Sequence, residues 1–293
     1  MYLKWVGGKT LLSKDLISQF PKNIDSYIEP FCGSAAMYFC FHPKIDAENS
    51  CFEQNEPVFK RSYLYDINSH LINCHIVVRD NIEKLISILN QIETEHNKHK
   101  NIDLAKKFYV SIRDEATRPI TEENKIELAA HFIYINKTCF NGIWRVNKSG
   151  KNNVPFNNNI NISFDYPILH KASKMLQNCF LENKTFQNLE VKKEDETFVY
   201  LDPPYYPLSQ TSNFTSYNSA KVNDKDLLDS LFIFCKDLDN KNIKWMMSNS
   251  SANEVQDKFS EWNIREIEVH RFVKALKKNQ TREKVKEVVV TNY

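Results

Sequence analysis

The chain has 293 residues, with 39 Lys and Arg against 37 Asp and Glu, 12% aromatic residues and only 5 Gly, where average usage would give roughly 20 glycines. Abundant aromatics and near-balanced charge exclude disordered, collagenous and linker-like chains, and the length suits about two domains with a core that needs no staples. No run approaches the ~18 apolar residues of a spanning helix, and Met1-Tyr2-Leu3-Lys4-Trp5 is no cationic-then-apolar signal, so the expectation is an intracellular protein without membrane contact.

In chain order, Leu12, Leu16 and Phe20 recur at helical spacing, then Tyr27-Ile28 reads as a buried strand ending at Glu29-Pro30. A helix is expected over 35–41, and a second strand, Tyr63-Leu64-Tyr65, ends at Asp66. From about 76 to 136 helix follows helix: Ile82, Leu85, Ile86, Leu89 and Ile92, then Leu104, Phe108 and Ile112, then Ile126, Ala130 and Ile133. The Asn- and Gly-bearing segment 136–161 has the turn chemistry of a β-hairpin or extended loop. Helical spacing returns at Ile168 to Leu176 and Leu227 to Leu238. Strands are expected at Phe198 to Leu201, Ile243 to Met247 and Val288 to Val290. Strands alternating with helices predict a mostly parallel, three-layer α/β sheet. The domain reading is one α/β domain from residues 1–75 and 165–293, interrupted by a helical and hairpin-bearing insertion at 76–164.

Seven cysteines, odd in number and without a Cys-x-x-Cys pair, argue against a zinc knuckle or a disulfide framework and read as buried apolar fillers. Charge is uneven. Residues 137–164 carry Lys137, Arg145, Lys148 and Lys151 with no acid, and residues 271–286 carry seven cations against Glu283. Two basic patches on an acidic body fit a surface facing a polyanion, or a pair of solvated loops.

In open α/β sheets ligands bind beyond the carboxyl ends of the strands. Three such ends carry polar or special residues: Glu29-Pro30-Phe31-Cys32-Gly33-Ser34, Asp66-Ile67-Asn68 and Asp202-Pro203-Pro204-Tyr205. Asp66 is placed to accept hydrogen bonds from ribose hydroxyls, and no Gly-x-x-x-x-Gly-Lys-Ser/Thr loop is present to cradle a triphosphate. A Gly turn or a strand-end Asp alone is as a rule structural. The two-proline string is rarer, expected by chance in about one chain of this size in a thousand. Its carboxylate and the Pro203 carbonyl can accept both hydrogens of an exocyclic amine while Tyr205 stacks on the attached ring.

Taken together these motifs resemble the Dam-type family of DNA adenine N6-methyltransferases, in its alpha-group order of cofactor loop, recognition region and catalytic loop. The resemblance runs over nearly the whole chain: Lys4-Trp5-Val6-Gly7-Gly8-Lys9, Glu29-Pro30-Phe31-Cys32-Gly33, Tyr65-Asp66-Ile67-Asn68, Asp202-Pro203-Pro204-Tyr205, Asn213-Phe214-Thr215-Ser216-Tyr217, Ser248-Asn249-Ser250 and the closing Val285 to Tyr293. It implies a Rossmann-like methyltransferase sheet and S-adenosylmethionine as methyl donor without a metal. The cofactor residues would be Trp5, Gly7, Gly8, Lys9, Phe31, Gly33, Asp66, Phe186 and Asp202, with Lys9 on the methionine carboxylate. The catalytic residues would be Asp202, Pro203, Pro204 and Tyr205, transferring methyl directly to the N6 of a flipped adenine, within GATC in duplex DNA.

Segment 136–156 is similar to the family's recognition hairpin. By that likeness Phe140 and Asn141 would sit at the vacated base stack, Arg145 would read a guanine edge, Ile143 and Pro155 would touch a thymine methyl, and Lys137 and Lys148 would add DNA contacts. Three departures stand out. Asn157-Asn158-Asn159 replaces a basic run, Ala35 stands where a second loop Gly is common, and Thr185-Phe186 replaces Gly-Asp-Phe, leaving Phe186 as an apolar wall. The resemblance further implies a prokaryotic or phage-type protein, a monomer, and a functional pairing with a restriction endonuclease. Rival readings are an RNA or protein amine methylase with the same catalytic loop, disfavoured by the long Arg145-bearing insertion, and a methylase-fold protein that binds DNA without turnover.

Overall fold

The structure, a computed structural model, describes residues 1–9, 12–41, 59–194, 196–208, 223–270 and 284–293. The Asn213–Tyr217 motif and the basic stretch 271–283 lie outside these residues. The sheet has seven strands: β1 (Ser26–Glu29), β2 (Arg61–Asp66), β3 (Cys179–Asn183), β4 (Thr197–Leu201), β5 (Lys244–Ser250), β6 (Asn263–His270) and β7 (Lys284–Thr291), in the order β3-β2-β1-β4-β5-β7-β6. The first five are parallel, and β7 runs antiparallel to both β5 and β6. β1 and β4 are buried along their whole length; β4 reads as a nearly unbroken apolar run, while β1 buries Ser26 and Glu29 at the two ends of its Tyr27-Ile28 pair. Strand order reverses between β1 and β4, and the ends of β1, β2 and β4 bring Glu29, Asp66 and Asp202 to one edge of the sheet.

One face of the sheet, with Tyr27, Leu64, Phe198, Tyr200 and Met246, packs on α1 (Ser13–Ile17), α2 (Ala36–Phe41), α3 (Ser69–Asp80) and α7 (Tyr166–Leu176). The other face, with Ile28, Val199, Leu201, Trp245, Met247, Val288 and Val290, packs on α8 (Asp224–Asn240) and α9 (Asn253–Lys258). Local chemistry starts these helices: Asn68 accepts from the Leu71 N–H at 3.1 Å, and Asp165 accepts from the Ile168 N–H at 3.0 Å with Pro167 in the first turn.

Between α3 and α7 come α4 (Ile82–Lys98), α5 (Ile102–Glu115) and α6 (Lys125–Thr138), and α3 itself runs across the expected boundary at 75. α6 is buried on nearly every side, from Leu128 to Asn136. In α5 the expected pattern holds at Ile112 but is one residue early at its first two positions: Ala105 and Tyr109 face the core, while Leu104 is 45% exposed. After α6 a short 3₁₀ turn, Phe140–Gly142, leads into a hairpin closed by antiparallel bridges Cys139 to Phe156 and Val146 to Asn152. Its tip is fastened by Asn147, whose Oδ1 accepts from the Ser149 and Lys151 N–H groups, each at 3.0 Å. Among the described residues no helix is long and apolar enough to cross a membrane.

Candidate active site

The loop after β1 is held through both main-chain groups of one residue, Gly33. The Gly33 N–H donates to Asp66 Oδ2 at 3.1 Å, and the Gly33 carbonyl accepts from His75 Nε2 at 2.8 Å. Burial lowers the His75 pKa to about 4, so the ring is neutral at pH 7. The carbonyl partner assigns its proton to Nε2, and Nδ1 accepts from the Tyr2 hydroxyl. Gly33 has φ +49°, and a Cβ there would lie 2.7 Å from Cδ1 of Trp5. The absent side chain is therefore the space the indole fills. Two residues on, Ala35 adopts φ +55° in a fully buried position. This left-handed conformation is the reason a glycine suits the position, and it costs alanine ~1–2 kcal/mol, partly offset by burial of its methyl group.

Asp66 is 6% exposed and also accepts the Asn68 N–H at 2.9 Å. Burial pushes its carboxyl up to about 6, against the opposing pull of the backbone N–H groups of Asn68, Gly33 and Ile67. Glu29, 2% exposed at the end of β1, accepts the Tyr27 hydroxyl at 3.0 Å, and burial raises its carboxyl well above the usual range.

Lys9 bridges the N-terminal segment to the loop after β4. It is 5% exposed, and its Nζ lies 2.7 Å from Asp202 Oδ1 and 2.9 Å from Oδ2, and donates to the Gly7 carbonyl at 2.9 Å. The same ammonium sits 4.7 Å from the Tyr205 ring centroid, at cation–π distance. Burial raises the Asp202 carboxyl, Lys9 pulls it back down, and Glu287 raises it further. The Tyr205 hydroxyl donates to Glu287 Oε2 at 2.8 Å. Asn249 fixes the following residue, accepting the Tyr206 N–H at 3.0 Å, and the Ser250 hydroxyl donates to the Tyr206 carbonyl at 2.6 Å.

The structure thus brings Trp5, Gly7, Gly8, Lys9, Gly33, Asp66, Asp202 and Tyr205 to neighbouring loops at one sheet edge. Phe31 packs 5.0 Å from Phe186, itself 3% exposed, so these two form an apolar pair beside them. Glu287 was read from the sequence only as part of the closing segment Val285 to Tyr293, not as a site residue. Within Val-Lys-Glu-Val-Val it looks like one polar position of a strand, and only the antiparallel placement of β7 beside β5 carries it to Tyr205.

The hairpin residues form a second group. Phe140 is 54% exposed, and Asn141 (φ 56°), Arg145, Lys137, Lys148 and Pro155 are exposed, while Ile143 is half-buried. The Phe140 N–H donates to the Pro155 carbonyl at 3.0 Å. Arg145 donates from Nε to Asn153 Oδ1 at 2.8 Å, which holds its guanidinium by one edge. Among the described residues no cluster of three or more His, Cys, Asp or Glu could hold a metal ion.

Comparison with known proteins identifies the family. The family model for D12 class N6 adenine-specific DNA methyltransferases matches residues 5–273. The chain is similar to Type II methyltransferase M.MjaIII of Methanocaldococcus jannaschii, 34% identical over 100% of this chain and 98% of the relative. It is 32% identical to Type II methyltransferase M1.LlaDCHI of Lactococcus lactis subsp. cremoris, over 100% and 95%. To the DNA adenine methylase of Escherichia coli (strain K12) it is 26% identical, over 98% and 93%. With its seven-stranded Rossmann-like sheet and its family match from Trp5 onward, the chain belongs to the D12 class of N6 adenine-specific DNA methyltransferases.

Proposed function

We propose that the protein transfers a methyl group from S-adenosylmethionine to N6 of a flipped adenine within GATC in duplex DNA. The observation that carries this reading is the Lys9–Asp202–Tyr205 cluster at the sheet edge beside Asp66 and Gly33. The residues fit the cofactor. Asp66 offers a carboxylate to ribose hydroxyls, the bare Gly33 peptide opens the loop, Trp5, Phe31 and Phe186 offer apolar walls, and Gly7 and Gly8 bring backbone close to Lys9. The Lys9 ammonium faces the Gly7 carbonyl and both Asp202 oxygens, so a methionine carboxylate would share this cation with them. The bound donor supplies an electrophilic methyl on a sulfonium.

The chain's own residues then do the following. Asp202 and the Pro203 carbonyl accept the two N6 hydrogens, which localises the nitrogen lone pair and aims it. Pro203 and Pro204 hold the loop rigid. Tyr205, tethered by Glu287 and faced on one side by Lys9, stacks the base on its other side. As the N–C bond forms and the C–S bond breaks, one N6 proton must leave. Asp202, raised by burial and by Glu287, is the nearest base for it.

We assign DNA reading to region 76–164, with the catalytic α/β unit formed by 1–75 and 165–293. Phe140 and Asn141 fill the vacated stack, Arg145 reads guanine with its remaining donors, Ile143 and Pro155 meet the thymine methyl, and Lys137 and Lys148 hold phosphate. Two relatives above 30% identity are named type II methyltransferases, which favours pairing with a restriction endonuclease, and a monomer suffices for this scheme.

Expression in a host free of adenine methylation tests the site: sequencing should find N6-methyladenine in GATC alone. Arg145→Ala should cut methylation ~10- to 100-fold and relax the guanine position, the worth of one two-pronged base contact. Methylation centred on another sequence would overturn the GATC assignment.

The Asp66 carboxyl near 6 gives a pH expectation. It is ionised above pH 6 and neutral below, and a neutral carboxyl accepts hydroxyl protons less well. Affinity for S-adenosylhomocysteine should be flat from pH 8 to 7 and fall below about 6, by up to tenfold per pH unit. Calorimetry across this range checks it, and Asp66→Asn should remove the step.

A further inference from the structure

The cofactor segment and the hairpin are far apart in sequence, yet one buried side chain ties them together. Asn136, 6% exposed in the last turn of α6, makes three hydrogen bonds. Its Oδ1 accepts the Lys4 N–H at 2.8 Å, and its Nδ2 donates to the Lys4 carbonyl at 2.7 Å and to the Gly142 carbonyl at 3.0 Å. Both amide hydrogens are used, and only this orientation of the amide satisfies all three partners. Asn136 therefore pairs with the main chain of residue 4 as a neighbouring strand would, while its second hydrogen secures the turn that presents Phe140 and Asn141.

Two further contacts span the same junction. Gly142, at φ +66°, lies so close to the N-terminal segment that a Cβ would sit 2.7 Å from Lys4 Cβ. Trp5 stacks 6.0 Å from Phe132 on α6, and Phe132 lies 4.4 Å from Trp144, the residue before Arg145. Trp5 also fills the space above Gly33. Residues 4 and 5 are thus held by the hairpin turn on one side and by the cofactor loop on the other.

We propose that Asn136 is a positioning residue that locks the hairpin to the N-terminal cofactor segment, so that discrimination of the target sequence and its coupling to the cofactor site depend on this one amide. The inference rests on the reading given under Proposed function. It follows physically because Asn136→Ala would leave the Gly142 carbonyl, which is buried, and the part-buried Lys4 N–H and carbonyl without this partner. The turn would then lose its fixed distance from residues 4 and 5, while Asp66, Lys9 and Asp202 keep every hydrogen bond described above.

The test uses the full chain, labelled S-adenosylmethionine, the mapped target duplex and duplexes with one base changed. For Asn136→Ala the expected result is a KM for target duplex at least tenfold higher and a preference over one-base variants at least tenfold lower. Affinity for S-adenosylhomocysteine without DNA should stay within about threefold, and its tightening by target duplex should shrink. Wild-type discrimination in the variant would overturn the proposal. So would equal loss of cofactor affinity and discrimination, the pattern of general destabilisation.

Hydrogen exchange on the unmutated protein gives an arm independent of variant folding: S-adenosylhomocysteine alone should slow exchange at the Phe140, Gly142 and Ile143 amides. Unchanged exchange there on saturation also overturns the proposal. Absence of methyl transfer by the unmutated protein to any duplex would fall instead on the functional reading.

Discussion

Asp202→Ala should lower the rate of methyl transfer by at least ~10³-fold, the scale of removing a positioned hydrogen-bonding group from a reacting centre, while binding of target duplex is largely kept. It should also destabilise the fold, by ~3 kcal/mol, because Lys9 is 5% exposed and would lose its partner at 2.7 Å, leaving an uncompensated buried charge. The two effects separate in a cycle. Asp202→Ala with Lys9→Met should recover most of the stability, measured by urea unfolding, and none of the activity. If the double variant stays as unstable as the single one, Asp202 is holding something other than Lys9. If activity returns with stability, the carboxylate is structural and the catalytic assignment is wrong.

Gly33→Ala should be nearly as damaging for an unrelated reason. The added Cβ would lie 2.7 Å from Trp5 Cδ1 and 2.8 Å from Nε1, at φ +49°. The indole has little room to retreat because it stacks on Phe132, which is fully buried. Conformational strain of ~1–2 kcal/mol and overpacking of ~1–3 kcal/mol predict a loss of ~3 kcal/mol. Moving the Gly33 peptide also moves the N–H that holds Asp66, so affinity for S-adenosylhomocysteine should fall by ~100-fold. Gly150→Ala is the control. Gly150 shares a positive φ of +75° but has nothing within 4 Å, so strain alone acts, at ~1 kcal/mol, with cofactor affinity unchanged. Equal losses of cofactor affinity in the two variants would remove the argument from the Trp5 contact.

What could be read from the sequence follows burial. β1, β2 and β4 were visible because each apolar or aromatic run stops at a carboxylate, and two of those stops, Asp66 and Asp202, are the candidate site's carboxylates. β3 and β6 were not, because both are edge strands: β3 leaves Phe180 49% exposed, and β6 reads as mixed charged and apolar residues, so neither forms an apolar run. The antiparallel entry of β7 was equally hidden, and with it Glu287, since strand direction is set by pairing and not by composition. Asn136 was legible only as the first residue of the hairpin segment 136–156; its tie to Lys4 was not, because Lys4 is 132 residues away and is gripped through its main chain, which leaves no trace in residue type. Lys9 was expected to face an incoming carboxylate and is found engaged with Asp202, an arrangement that gives one cation contacts to both the cofactor segment and the catalytic loop.

The most direct measurement incubates the purified protein with methyl-labelled S-adenosylmethionine and GATC duplex, digests the DNA and identifies the labelled nucleoside by mass spectrometry. The account predicts label on N6 of adenine, one methyl per GATC strand, and none on duplexes lacking GATC. Label on another atom or base, equal labelling of GATC-free DNA, or no labelled nucleoside at all would contradict it.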